Sequence, residues 1–316
     1  MHYVGRVDWS FADGPGSDSA TSSGLSRQVL VGPEQGATHT ELAVGSLGAG
    51  GWLGRHVHSF EEALYVLDGE LILELGGAVH RLAAGHYALI TIGTPHTLVA
   101  GSDRVRWLSV NTPPRRAPGA GAPDTVFASG APDVAALIAL ASAPAFGDPT
   151  TRFVGRYVGT PPQLEALRVD DPAHGRAPAG ADTALVVYSG ISVKMLVDRV
   201  LGADLLTMFT VDYEVGGAAQ AHDHPFEETY FFLSGEVEAE LDGESVRLRA
   251  GDVVFAGVGS VHGFWNDGSE RVRWIETQAP QPPARHSYRW EPTWRSFSER
   301  GLEQWSMPNR AAGSRT

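Results

Sequence analysis

Three histidines and a glutamate recur twice in this chain at spacings that a metal ion can use. The first set is His56, His58, Glu62 and His96, and the second is His222, His224, Glu228 and His262. In each set the first two histidines stand two apart, and residues i and i+2 of a strand face the same side. A glutamate then heads the next strand, and the third histidine arrives after a hairpin. Three neutral imidazoles and one carboxylate can thus converge on a divalent ion. Such a donor set suits iron, manganese, nickel, cobalt, copper or zinc, and the lack of any thiolate argues against a structural zinc site. The expected cofactors are therefore two divalent transition-metal ions, one per set, with one or two coordination positions left for substrate or oxygen. The other histidines, His2, His39, His80, His86, His174 and His286, have no counterpart in the repeat and are expected in surface or loop positions.

The elements that must position these groups are duplicated with them. His56 to His96 and His222 to His262 both span 40 positions, and the offset between the copies is 166 throughout. The same offset aligns Ser23–Val31 with Ser189–Val197, and after one inserted residue Val105-Arg-Trp107 meets Val272-Arg-Trp274. Short strand-like runs such as Thr38–Val44, Ala63–Leu67, Glu70–Leu75 and Ala88–Ile92 alternate with glycine-rich turns, as in an all-β barrel. Dipeptides such as Asp68-Gly69, Gly76-Gly77 and Asp242-Gly243 suit hairpin tips.

Both copies read Gly-x5-His-x-His-x3-Glu-x6-Gly, beginning at Gly50 and Gly216, and each continues to a glycine-rich turn and a further histidine. This resembles the two motifs of the cupin superfamily over about two thirds of the chain. The second motif departs at its usual proline, which is Thr91 or Gly257 here, and its terminal asparagine appears only as Asn266. The resemblance implies a quercetinase-like bicupin: an all-β chain of two tandem double-stranded β-helix (jelly-roll) barrels, each holding a metal through its own four residues. The expected boundaries are a flexible arm over 1–22, a first barrel over 23–112 and a partly helical linker over 113–183. A second barrel over 184–280 and a tail over 281–316 follow. Within the linker, Asp133–Ala143 and Pro161–Arg168 have helical character, the latter with Thr160 as N-cap. The tail, with Trp290, Trp294 and Trp305, is expected to pack on a barrel or partner, with Asn309–Thr316 disordered.

Strand parity extends the reading to the pocket walls. In the first barrel Trp52, Gly54, Leu64, Val66 and Leu98 should share the ligands' face, and in the second Ala218, Gln220, Tyr230, Phe232 and Phe264. Trp52, Gln220, Phe232 and Phe264 are thus candidate substrate contacts. Tyr230 is a candidate catalytic group, and the resemblance gives Glu62 or Glu228 the role of base. The more polar second pocket is the favoured catalytic site, while Arg55 has the parity to point outward.

A divalent ion with one carboxylate keeps a formal charge of about +1, which favours an anionic donor such as an enolate or phenolate. The expected function is a metal-dependent dioxygenase acting on an enolic or aromatic hydroxyl compound. Alternatives are an oxalate decarboxylase-like lyase, a non-oxidative isomerase or hydrolase, and a metal-dependent small-molecule binding protein. The net charge of −13 with no basic cluster speaks against nucleic acid as a partner. No segment is apolar enough to suggest a membrane span or signal peptide, and cysteine is absent, so the expected location is cytoplasmic. Barrel edges and the tryptophan-rich tail leave room for a homodimer.

Overall fold

The computed structural model describes residues 1–13, 16–117, 119–144, 153–168, 188–282 and 289–290. After β1 (His2–Arg6) and a short helix α1 (Ser10–Asp13), the first repeat contributes β2 (Ser22–Val31), β3 (Glu41–His58), β4 (Glu61–Asp68), β5 (Glu70–Leu75) and β6 (Ala78–Ala83). It continues with β7 (His86–Ile90), β8 (His96–Ala100) and β9 (Val105–Thr112). The linker holds β10 (Thr125–Phe127), α2 (Val134–Leu140), β11 (Val154–Arg156) and α3 (Pro161–Ala166). The second repeat contributes β12 (Tyr188–Val197), β13 (Thr207–Asp223), β14 (Glu227–Ser234), β15 (Glu236–Leu241), β16 (Glu244–Arg249), β17 (Asp252–Ala256), β18 (His262–Trp265) and β19 (Val272–Ala279), and β20 (Arg289–Trp290) follows.

These strands form two ten-stranded sheets of the same antiparallel order, β7-β4-β9-β3-β8-β5-β6 in one and β17-β14-β19-β13-β18-β15-β16 in the other. Hairpins at Gly76-Gly77 and Asp242-Gly243 have positive φ at both central residues, the backbone that matches the twist of two-residue hairpins. Gly69 and Gly235, which end the repeated motif, also have positive φ. A Cβ at Gly69 would collide with the Arg104 carbonyl oxygen, and one at Gly235 would lie 2.6 Å from that of Arg271.

Both faces of the central strands are buried, which explains their nearly continuous apolar runs. Leu64 and Val66 of β4 point into the first barrel with Leu71, Leu73 and Leu98, while Ala63 and Tyr65 join a different cluster. That cluster lies between the barrels and includes Leu42, Val44 and Val110 from one and Met208, Phe231 and Phe255 from the other. Tyr230, Phe232, Phe264 and Trp274 fill the second barrel.

The two barrels are tied by reciprocal devices. Glu61 accepts hydrogen bonds from the backbone N–H groups of Asp204 and Leu205, both at 2.7 Å. Glu227, its counterpart, accepts from Thr38 and His39 at 2.8 and 2.9 Å. Each of these glutamates directly precedes a candidate metal ligand. The strands before each repeat are also exchanged: β1 pairs with β17 of the second barrel and β11 with β7 of the first. The expected flexible arm is therefore a paired strand over His2–Arg6.

The linker helices form where expected, though shorter. Asp133 caps α2 by accepting from the Ala136 N–H at 3.0 Å, and Thr160 and Gln163 form a capping box at α3. His80 and His86, expected at the surface, are buried, and His86 Nδ1 lies against the backbone of Ala83. His174, His286, Trp294, Trp305 and Asn309–Thr316 lie outside the described residues.

Candidate metal centres

Six histidines are held in one way. The Nδ1 atoms of His56, His58 and His96 lie 2.8, 2.7 and 2.9 Å from the carbonyl oxygens of Gly54, Phe60 and Thr94. Those of His222, His224 and His262 lie 2.8, 2.9 and 2.9 Å from the carbonyls of Gln220, Phe226 and Ser260. A carbonyl can only accept, so each Nδ1 carries the proton and each Nε2 presents its lone pair, as metal ligation requires. Each acceptor is two residues from its histidine in sequence, so the strand that carries the ring also fixes its tautomer. Phe60 and Phe226 stack on His58 and His224 with ring centroids 4.0 Å apart, restricting the ring planes further.

The lone pairs converge. In the first centre the ligand atoms of His58, Glu62 and His96 lie within 4.8 Å of one another, and the His56 ring sits 3.9 Å from that of His96. In the second the three imidazoles lie within 4.8 Å, and Glu228 Oε2 is 2.8 Å from His224 Nε2 and 3.2 Å from His262 Nε2. His96 Nε2 is buried with no hydrogen-bond partner among the described residues, the signature of an atom shaped for an ion. Burial, reinforced by the His56 ring, pushes His96 down to about 3, and burial also lowers His56. Burial and the neighbouring His262 and His224 lower His222 further. His96, His56 and His222 are thus neutral near pH 7. Burial alone would raise both glutamates, but their histidine neighbours outweigh it and hold Glu62 and Glu228 well below the ordinary carboxylate range. Neutral imidazoles beside an ionised carboxylate fit a divalent transition metal at each centre.

Beyond the ligands the centres differ. Glu62 Oε1 accepts from Ser109 Oγ at 2.6 Å, and Asn111 beside it donates to Glu41 at 3.0 Å. The corresponding positions of the second barrel hold Glu276 and Gln278, and Tyr230 stands where the first has Leu64. Gln278 Nε2 donates to Glu228 Oε1 at 2.7 Å, and the Tyr230 hydroxyl donates to Glu228 Oε2. Burial, followed by the Glu228 carboxylate, pushes Glu276 well above its ordinary range. It thus stays protonated beside its ionised neighbour. The carboxylate of Glu228 is consequently gripped from several sides, and Tyr230 reaches that ligand rather than open space.

A cavity of about 170 Å³ opens at the first centre, bounded by Leu53, Leu98, Phe60, Trp107, Phe127 and the candidate ligands His56, His58 and Glu62. Leu98 lies on this wall as parity predicts, but Leu53 lies there rather than Trp52. A bulge between Leu53 and His56 in the β3–β8 pairing breaks the alternation on which the parity argument depended. The same bulge recurs between Ala219 and His222, and it is Ala219 that joins the core of the second barrel. Gln220 is half-buried, and its contribution to the centre is the carbonyl that orients His222. Phe232 and Phe264 pack with Trp274 at ring separations of 5.3 and 5.4 Å, as core rather than open wall. Arg55 is exposed and reaches Glu74 at 3.7 Å, outward as expected. Sequence reasoning missed Arg27 and Arg115, which also line the cavity. They come from β2 and the linker, outside the repeated motif.

The family model for the cupin domain matches residues 43–111 and again 209–277. Quercetin 2,3-dioxygenase of Bacillus subtilis (strain 168) is 26% identical over 250 residues, covering 71% of this chain and 68% of that protein. Among solved structures, salicylate 1,2-dioxygenase from Pseudoaminobacter salicylatoxidans with gentisate has a TM-score of 0.65 at 14% identity, covering 88% of this chain and 81% of the other. A glyoxylate-induced protein from Pseudomonas aeruginosa has a TM-score of 0.57 at 17% identity, covering 86% and 85%. At such identities the structural likeness speaks for the fold. No helix among the described residues is long and apolar enough to cross a membrane. The two matches stand in register with the duplicated candidate ligand sets, so the chain carries two tandem cupin domains.

Proposed function

We propose that the protein is a metal-dependent dioxygenase acting on an aromatic or enolic hydroxyl compound, with one divalent metal per barrel and the first centre as the substrate site. The observation that carries this reading is the cavity of about 170 Å³ directly beside His56, His58 and Glu62. An apolar cavity of about 150 Å³ holds a benzene ring, so a single-ring compound fits inside. The dioxygenase names of the Bacillus relative and the Pseudoaminobacter neighbour support the reaction class.

A divalent transition metal, when bound, supplies a Lewis-acid centre for a deprotonated hydroxyl and an open position for dioxygen chemistry. The chain supplies the rest. Ser109 orients the Glu62 carboxylate by donating to Oε1, and the ionised carboxylate is the group placed to take the hydroxyl proton. Leu53, Leu98 and Phe127 face the ring and exclude water, and the Phe127 ring stacks on His56 at 4.9 Å. The second centre, with Glu228 held by Gln278 and Tyr230, acts as a fixed structural site.

The test is oxygen uptake by the metal-loaded protein with a panel of single-ring phenols and enols, run beside anaerobic controls. Substrate-dependent uptake, abolished in His58→Ala, is expected; identical products with and without oxygen would remove the dioxygenase reading. One observation favours a second reading. Arg115, which lines the cavity beside Arg27, supplies a cation that an oxalate decarboxylase-like lyase would need, so release of carbon dioxide from oxalate is measured alongside.

A further inference from the structure

The wall that β2 and the linker give to the first cavity carries two guanidinium groups, Arg27 and Arg115. Arg27 has a partner, because its Nη2 bonds Glu41, which also accepts from Asn111. Arg115 is exposed and has no acidic partner among the described residues. Its place at the mouth is nonetheless fixed. The next residue, Arg116, donates its backbone N–H to Asp124 Oδ2 at 2.6 Å, and Asp124 in turn accepts from the Ser59 N–H at 2.9 Å. Thr125 then pairs with His58, so the turn that carries Arg115 is pinned to the strand that carries a ligand.

The arrangement belongs to one barrel only. At the repeat positions of Arg27, Glu41 and Ser109 the second barrel has Val193, Thr207 and Glu276, and Pro282 stands opposite Arg115. The surroundings of the second centre thus hold the same number of carboxyls, with Glu276 in place of Glu41, and lack both cations. In the first, Arg27 and Glu41 cancel and Glu62 offsets one charge of a divalent ion. Arg115 remains, so about two positive charges await a ligand. Both guanidinium groups line the same cavity, and burial followed by the positive charge of Arg115 disfavours protonated Arg27. A carboxylate between them would relieve that repulsion, and planar guanidinium groups match carboxylates in geometry.

We infer that Arg115, backed by Arg27, receives a carboxylate of the substrate, which makes the substrate a single-ring aromatic or enolic hydroxy acid bound with its hydroxyl toward the first centre. This rests on, and narrows, the dioxygenase reading of that site. The linker is then part of the substrate site, and the first barrel is incomplete without it.

The experiment is anaerobic calorimetric titration of the metal-loaded full chain with 2-, 3- and 4-hydroxybenzoate, each against the hydroxybenzamide of the same shape and no charge. At least one hydroxybenzoate should bind tenfold or more tighter than its amide. Arg115→Gln should erase that preference while leaving amide affinity within about twofold, Arg115→Lys should keep part of it, and Arg55→Gln should keep all of it. A preference below threefold for every pair, absence of binding by all six, or a preference that survives Arg115→Gln would overturn the proposal. A preference without oxygen uptake would leave the anion site standing and remove the dioxygenase reading alone.

Discussion

Glu227 makes a sharp test of how the two barrels are joined. Its two carboxylate oxygens accept from the Thr38 and His39 backbone N–H groups of the other barrel at 2.8 and 2.9 Å, and the residue is 3% exposed. Glu227→Gln keeps the shape but turns one acceptor into a donor. One N–H then meets a neutral carbonyl, a loss of roughly 1 kcal/mol, and the other faces an NH2 group, leaving a buried donor unpaired at about 1–3 kcal/mol. The expected cost is about 2–4 kcal/mol. It should appear as a lower urea midpoint by tryptophan fluorescence, with Glu34→Gln on the surface as control. Glu61→Gln should cost less, because burial already disfavours that carboxylate and raises its pKa. If each anchor holds the same interface, the double variant should lose less than the two single costs together, since undocking by one leaves less for the other to break. A change below about 0.5 kcal/mol in Glu227→Gln would refute the anchor, as would full additivity its shared role.

Three further outcomes follow from the centres. His58→Ala and His224→Ala should each lose about one equivalent of metal of two by elemental analysis, and loss of both in either variant would contradict independent centres. Ser109→Ala should weaken metal binding about tenfold or more in a chelator competition, because the hydrogen bond to Glu62 is removed, while Leu67→Ala on the opposite face of β4 should leave it unchanged. The metal-free protein should lose stability in acid: His96 stays neutral in the fold down to about 3 against an ordinary 6.5, so the unfolded chain takes the proton first. That contribution is absent above about pH 6.5 and costs about 1.4 kcal/mol per pH unit as pH falls toward 3. A urea midpoint that is flat between pH 6.5 and 4.5 would refute it.

The amino-acid sequence alone determined the duplication and the barrel class, and it marked the eight candidate ligand positions. Those depend on local periodicity: an i, i+2 pair on a strand faces one side whatever the surroundings, and an offset of 166 with matching chemistry in both copies identifies a repeat. The linker helices were legible for the same reason, since Thr160 with Pro161 and Gln163 satisfies the first-turn N–H groups locally. Strand parity failed one step before the ligands. A bulge inserts a residue between Leu53 and His56, and no local signal in Gly-Trp-Leu-Gly-Arg marks where the alternation slips. Trp52 and Gln220 were misjudged on that account. The tertiary structure also decided what distant segments bring to each centre. Arg27 and Arg115 reach the first cavity from outside the motif, Gln278 and Tyr230 grip Glu228, and Glu61 and Glu227 cross between barrels. Each is a long-range pairing set by how the strands stack and the linker folds back, which residue order does not encode one position at a time.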